Sequence, residues 1–276
     1  MTDESTPQFR GYKAEALHYL FFARYDRDHP QERIDISTEE VRRYLERQGK
    51  APGNIYNFFK DIVRNGKMPR DLSHIAQLGY SIVQIDGGGA FVRSNNSELV
   101  DVIDISRYSV IEDVLDSNLI PPLVWELIRT DEGAVISIVE YCRVLEQIMG
   151  VQQIFRVQAP LKVQPNEVDG CYVFEQENSR VLLSVEAKSK GSDVLLMHQI
   201  YGAAQQALNN FGQFVDMVRP IGVKIQPDNR LLVVVFAPYH DLQRAPAIER
   251  VYLFTFSKVP FQWMPRGSKK AQRPLL

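Results

Sequence analysis

The stretch EVDGCYVFEQENSRVLLSVEAKSK, residues 167–190, contains two apolar runs of strand length. GCYVFEQ and RVLLSVEA are rich in Val, Leu, Tyr and Phe, and the Glu-Asn-Ser at 177–179 between them has the composition of a turn. The pattern predicts an antiparallel β-hairpin. Because Asp169 precedes the first run and Glu186 lies at the end of the second, we expect the two carboxylates almost opposite each other.

The end of the second predicted strand has a Glu-Ala-Lys sequence. Side chains alternate along a strand, so Glu186 and Lys188 should share one face while Ala187 points to the other. The small Ala187 side chain suits a packed back face. Polar residues at a strand end contribute little to a core, so we expect substitutions of these acids and of the lysine to leave the fold intact.

Composition indicates an ordinary globular protein with no membrane span. The chain has 276 residues, of which 45% are hydrophobic and 24% charged, and its longest apolar run, LLVVVFA, is too short to cross a bilayer. The polar, acidic N-terminus differs from a secretory signal, so we expect a cytoplasmic protein. Cys142 and Cys171 fit this expectation as small core residues that form no disulfide.

The net charge of −2 argues against a protein that coats nucleic acid through bulk charge. Any contact with nucleic acid must therefore be local. Basic residues gather at 60–70 and 265–273. Such clusters are more often solvated surface than binding sites.

The first 95 residues read as three helices followed by a hairpin. Helical spacing covers residues 13–26, a capping box of Ser37 and Glu40 begins a second helix, and a third follows from residue 54. Strand-like runs then flank the Asp-Gly-Gly-Gly turn at 86–89. This order resembles a winged helix-turn-helix domain, a small α+β unit.

In that family the third helix enters the major groove of double-stranded DNA and the hairpin wing contacts the backbone or minor groove. The resemblance therefore implies a set of DNA-binding residues on the predicted third helix and wing: Asn54, Tyr56, Asn57, Lys60, Arg64 and Arg93. The alternative is that these polar side chains are merely solvated. Winged helices also serve as protein-interaction modules.

A helical linker is predicted at 96–130, with one helical segment near 111–116 and a second through Trp125. From residue 131 the pattern becomes α/β. A helix at 131–150 precedes a strand at 153–163 and the hairpin, and a helix at 192–211 precedes strands at 230–238 and 250–257. We therefore predict a mixed-sheet core in the order αβββαβ over residues 131–276.

That order, with an acid entering the second strand and Glu-x-Lys leaving the third, resembles the PD-(D/E)xK nuclease superfamily, whose core is restriction-endonuclease-like. Val168 stands where the family name has proline, a position without a chemical role. The resemblance implies that Asp169, Glu186 and the Ala187 carbonyl bind Mg²⁺, with Mn²⁺ as a substitute, and that Lys188 orients or deprotonates the attacking water. The alternative makes Asp169 a turn cap and Glu186 with Lys188 a surface pair.

Members of the superfamily often add an acid from the helix before the first strand. Glu140 and Glu146 both qualify, and the sequence does not separate them. On the later helix, the candidates for contacts behind the metal ligands or with substrate are His198, Gln199 and Gln205.

We therefore expect a two-domain Mg²⁺-dependent DNA endonuclease, a type II restriction enzyme or related defence nuclease. Cleavage of both strands would need a homodimer, and a DNA methyltransferase would be the genomic partner of a restriction enzyme. One alternative is a DNA-binding or assembly protein that uses the nuclease fold as a scaffold without catalysis. Another is a nuclease that acts on RNA or on branched DNA.

Overall fold

The chain forms two compact units, Met1–Val102 and Ile103–Leu276. The computed structural model describes residues 9–51, 53–63, 68–85, 87–93, 102–129, 131–161, 167–189, 194–239 and 247–259. The division falls inside the predicted linker of residues 96–130. Residues 103–129 group with the second unit.

The first unit is a small α+β domain. Its described helices are α1 (Tyr12–Phe22), α2 (Thr38–Arg47), α3 (Phe58–Val63) and α4 (Ser73–Gln77), and its strands are β1 (Arg33–Ser37), β2 (Tyr80–Ile85) and β3 (Gly88–Arg93). The strands form an antiparallel sheet in the order β1-β3-β2. The predicted hairpin is confirmed as β2 and β3, whereas β1 and α4 were not predicted.

The predicted capping box begins α2. The Ser37 hydroxyl accepts a hydrogen bond from the Glu40 amide, and the Glu40 carboxylate accepts one from the Ser37 amide. This exchange satisfies amide groups that have no partner within the helix. Val41 and Leu45, one turn apart, are buried and attach the helix to the core.

The glycines of the hairpin allow close packing. A Cβ atom at Gly89 would lie 2.1 Å from the Phe59 ring, and one at Gly88 would lie 2.2 Å from the Ile36 carbonyl oxygen. Gly87 has φ +70°, a conformation that favours glycine. The run of glycines therefore lets α3 and β1 approach the hairpin as well as forming its turn.

The second unit is built on a seven-stranded mixed sheet. Its described helices are α5 (Pro122–Leu127), α6 (Glu132–Tyr141), α7 (Val144–Met149) and α8 (Met197–Phe211), and its strands are β4 (Val110–Leu115), β5 (Phe155–Gln158), β6 (Gly170–Gln176), β7 (Ser179–Lys188), β8 (Met217–Ile225), β9 (Leu231–Phe236) and β10 (Ile248–Phe256). The strand order is β4-β10-β9-β8-β7-β6-β5. The pairs β7–β8 and β4–β10 are parallel, and the other pairs are antiparallel.

The opening hairpin is confirmed as β6 and β7. Its ladder runs from the pair Gln176 and Ser179 to the pair Gly170 and Val185. The two turn residues, Glu177 and Asn178, both have positive φ, at 50° and 64°. Such a two-residue turn matches the right-handed twist of the strands it joins.

Two predictions for the second unit are wrong. The segment near 111–116 is the strand β4, which pairs in parallel with β10. Its Val110, Ile111 and Val114 are β-branched and stiff, which favours a strand over a helix. The predicted single helix at 131–150 is broken, because Arg143 adopts φ 52° between α6 and α7.

The strand that follows α8 was also missed. The sequence predicts residues 230–238 as that strand, but the chain first forms β8, which lies parallel to β7. Pro220, Gly222 and Lys224 interrupt the apolar pattern of β8 and hide it. Pro220 is tolerated because the ladder with β9 begins only at Ile221.

Alternation along β7 separates the two faces of the sheet. Val181, Val185 and Ala187 are buried in the large cluster with α6 and α7. Leu182 packs with Ala204 of α8. Glu186 and Lys188 lie four and six residues after Leu182 in β7, so their side chains point to the same face of the sheet, the face covered by α8.

No helix in the described residues is long and apolar enough to cross a bilayer.

Candidate active site

The hairpin brings Asp169 and Glu186 together at the end of β7. The β6–β7 ladder ends with the pair Gly170 and Val185. Asp169 and Glu186 are the next residue on each strand, so they lie opposite each other. The Ala187 amide donates a hydrogen bond to Asp169 Oδ2 across the hairpin, at 2.7 Å. Asp169 is thus bonded to the opposite strand, which contradicts its reading as a cap of a local turn.

Lys188 lies between two carboxylates. Its Nζ atom is 2.5 Å from Glu186 Oε1 and 3.2 Å from Glu132 Oε1. Glu186 is 5% and Lys188 6% exposed. These values contradict the reading of Glu186 and Lys188 as a surface pair, and the two groups are part of the interior.

Glu132 is the acid that sequence reasoning missed. It lies in the first turn of α6, after Asp131, whose side chain caps the helix by accepting from the Ala134 amide. In the sequence, an Asp-Glu pair at a helix start suggests only a cap and a favourable interaction with the helix dipole. Its contact with Lys188 depends on the packing of α6 against β7, which no local pattern reveals.

The two predicted helix acids have other partners. Glu140 accepts a hydrogen bond from the buried Tyr172 hydroxyl at 2.9 Å and forms an ion pair with Arg156. Glu146 forms an ion pair with Arg143 at 3.5 Å, beyond the break that separates α7 from α6. Glu132, instead of either of these acids, contacts the lysine of the hairpin.

Burial and charge perturb the pKa values of the group. Burial, and then the neighbouring Glu186, raises the pKa of Asp169 to about 8. For Lys188, burial alone would lower the pKa, but the carboxylates of Glu186 and Glu132 outweigh burial and raise it. At neutral pH, Lys188 is therefore an ammonium group, and Asp169 ionises readily only if a further positive charge approaches.

The donor set is compatible with a hard divalent cation. Lys188 contacts the carboxylates of Glu186 and Glu132, and the carboxyl group of Asp169 lies beside them, so acidic groups outnumber the one basic group. Mg²⁺ prefers one or two carboxylates and completes its shell with water or phosphate oxygens. Among the described residues, no set of three or more His, Cys, Asp or Glu side chains is arranged as a metal site. Asp169 and Glu186, with the predicted Ala187 carbonyl oxygen, would be the protein ligands, and water or phosphate oxygens would complete the shell.

The candidates on α8 divide into two groups. His198 and Gln199 lie in its first turn, next to Ile200, which contacts the position of Gly222 on β8. Gly222 pairs with Glu186, so this turn lies over the part of the sheet that has the acids. Gln205 is farther along α8 and accepts a hydrogen bond from the Tyr239 hydroxyl, which favours a structural role.

The candidate DNA-binding residues of the first unit are mostly on its surface. Asn54, Asn57 and Lys60 are exposed, with Asn57 in a single 3₁₀ turn and Lys60 in α3. Arg93 at the end of β3 forms an ion pair with Glu32 at 3.6 Å. The remaining candidates lie outside the described residues: the Tyr56 side chain, Arg64 and the basic stretch at 265–273.

Both cysteines are free and buried, as predicted. Burial raises the pKa of Cys171 to about 12 and that of Cys142 to about 11. A thiol of such high pKa is a poor nucleophile at neutral pH. Neither cysteine is therefore a candidate for the chemistry of the site.

Comparison of the chain with protein-family models, curated proteins and solved structures finds no match. Function must therefore be inferred from the residues themselves. The strongest observation is that one end of β7 gathers four ionisable groups, from Asp169, Glu186, Lys188 and Glu132.

Proposed function

We propose that the chain is a Mg²⁺-dependent DNA endonuclease that hydrolyses phosphodiester bonds. The observation that carries the proposal is the contact of Lys188 with Glu186, beside Asp169, at the buried end of the β6–β7 hairpin. Two carboxylates with a lysine match the chemistry that phosphodiester hydrolysis needs. The chemistry that Mg²⁺ supplies when bound is neutralisation of phosphate charge and activation of water.

The order of elements supports the same proposal. From α6 onward the second unit keeps the predicted αβββαβ order, with β8, which is parallel to β7, as the last strand in place of residues 230–238. The break between α6 and α7 and the added strands β9, β10 and β4 are elaborations of this order. The proposed carboxylates come from the second and third strands, as the resemblance implies.

The two carboxylates that contact Lys188 indicate its role. Glu186 and Glu132 raise its pKa, so without bound metal the side chain is an ammonium group at neutral pH. We therefore assign Lys188 to orienting the attacking water and to stabilising negative charge on the phosphate. Glu132 would hold the ammonium group in place from the other side.

The first unit would bind the DNA. Its element order, with β1 paired to the wing strand β3, is consistent with a winged helix. The exposed side chains of Asn57 and Lys60, just before and within α3, would contact the DNA. In the sequence, α4 follows α3 and precedes the hairpin. Double-strand cleavage would need two copies of the single site, which favours a homodimer.

Cleavage of supercoiled plasmid tests the proposal. Asp169→Asn and Glu186→Gln should each abolish Mg²⁺-dependent or Mn²⁺-dependent nicking, because each removes a negative charge that a hard cation requires. Glu175→Gln is the matched control, since Glu175 lies on the same hairpin with 71% of its side chain exposed. Gel shifts in Ca²⁺ should show that all three variants still bind DNA.

Two results would contradict the proposal in different ways. Cleavage by Glu186→Gln at the wild-type rate would remove this acid from the site. A wild-type protein inert on duplex DNA, branched DNA and RNA would favour a non-catalytic DNA-binding or assembly protein.

A further inference from the structure

A second buried lysine lies beside the candidate site, on the strand that sequence analysis missed. Lys224 of β8 is 8% exposed. In the parallel pairing of β7 with β8, it is the direct partner of Lys188. Buried lysines are uncommon, and two at neighbouring positions of one sheet require an explanation.

The side chains of Lys224 and Lys188 lie on the same face of the sheet. On β8, Val218 packs with residues of α8, and the position of Gly222 faces Leu195 and Ile200. Lys224 is separated from both residues by an even number of positions along β8, so its side chain also points to the α8 face. This is the face that Glu186 and Lys188 share on β7.

Lys224 is bonded to the backbone immediately after Lys188. Its Nζ atom donates a hydrogen bond to the Ser189 carbonyl oxygen at 3.1 Å. The described β7–β8 ladder ends with the pair of Lys188 and Lys224. The Lys224 side chain therefore holds the backbone at Ser189, immediately after the last described backbone pair between β7 and β8.

We propose that Lys224 is a positioning residue that fixes the end of β7 and so keeps the Lys188 ammonium between Glu186 and Glu132. This role depends on the proposed nuclease function. If packing alone were required, an apolar residue of similar length would fill the space without the desolvation of a charge. The bond to Ser189 gives a reason for a lysine at this position, because it acts on the peptide that follows Lys188.

Steady-state cleavage by Lys224→Met and Lys224→Arg tests the proposal. Methionine keeps the length and removes the donor, so kcat should fall by about 10-fold to 100-fold, the effect of a displacement near 1 Å at a reacting centre. The KM for plasmid DNA should stay within about twofold, because Lys224 acts through Lys188 and not through DNA binding. Arginine keeps a donor and should restore kcat to within about fivefold of wild type.

Thermal unfolding of each variant separates positioning from a purely structural role. If Lys224 acts by positioning, Lys224→Met should remain folded at the assay temperature while its kcat falls, and Lys224→Arg should recover kcat. Lys258→Met is the control, because Lys258 is exposed in the same unit. It should change neither kcat nor the unfolding temperature.

Each remaining result has a defined meaning. Equal kcat for wild type and Lys224→Met would overturn the role of Lys224 and leave the proposed function intact. A loss of activity that parallels a loss of stability, without rescue by arginine, would also overturn it. A wild-type protein inert with Mg²⁺ and Mn²⁺ would overturn the nuclease function and this role together.

Discussion

Asp169→Asn should remove a large part of the pH dependence of stability. Burial and Glu186 raise the pKa of Asp169 to about 8 in the folded chain, against about 3.9 in an unfolded one. The folded state therefore holds this proton more tightly. The resulting stabilisation is complete below about pH 4 and is lost as the pH rises towards about 8.

The size of the effect follows from this difference. Between the unfolded and folded pKa values of Asp169, each pH unit changes its contribution to the free energy of unfolding by about 1.4 kcal/mol. Between about pH 5 and about pH 7.5, the free energy of unfolding of wild type should fall by on the order of 3 kcal/mol relative to that of Asp169→Asn. Asparagine has no proton to lose, so it does not contribute this slope.

Urea unfolding followed by circular dichroism over this pH range, without metal, measures the difference. Glu175→Gln should keep the wild-type slope, because Glu175 is exposed on the same hairpin. Addition of about 10 mM Mg²⁺ should stabilise wild type more than Asp169→Asn at the upper pH, since a ligand that binds the folded state stabilises it. Parallel pH profiles for wild type and Asp169→Asn would refute the reasoning.

Three further expectations follow from packing and charge. Lys188→Met leaves a buried carboxylate unpaired and should cost about 3–5 kcal/mol in urea unfolding; an unchanged midpoint would show that the pair is effectively solvated. Gly89→Ala should lower stability by about 1–3 kcal/mol, because its Cβ would overlap the Phe59 ring, and unchanged thermal unfolding would contradict this close packing. His18 Nδ1 lies 2.7 Å from His74 Nε2, and burial lowers both pKa values. The contribution of this pair to stability should therefore be lost as the pH drops below about 6.5, and an NMR titration that placed both pKa values at or above that pH would disprove it.

Local sequence signals predicted the elements that local chemistry determines. The hairpin has two apolar runs of strand length with a turn at Glu177 and Asn178 between them, so its pairing was readable. The capping box at Ser37 was readable for the same reason. Both features depend on residues close in sequence.

The missed features depend on contacts between distant residues. Strand β8 contains Pro220, Gly222 and Lys224, which are tolerated because its neighbours and α8 accommodate them. Glu132 is 56 residues from Lys188 in the sequence, and only the packing of α6 joins them. The expectation that the strand-end charges do not affect the fold also disregarded burial, which depends on what covers the sheet.

The buried pair of Glu186 and Lys188 is difficult to explain by stability alone. Desolvation of two charges opposes their attraction, and apolar residues of similar volume are often as stable or more stable. We therefore expect the double variant Glu186→Leu with Lys188→Leu to unfold at a urea concentration equal to or above that of wild type, whereas Lys188→Met alone is destabilised. The double variant should cleave no DNA and should gain no stability from Mg²⁺, because a carboxylate ligand is lost. A double variant as unstable as Lys188→Met would indicate instead that the pair is kept for folding.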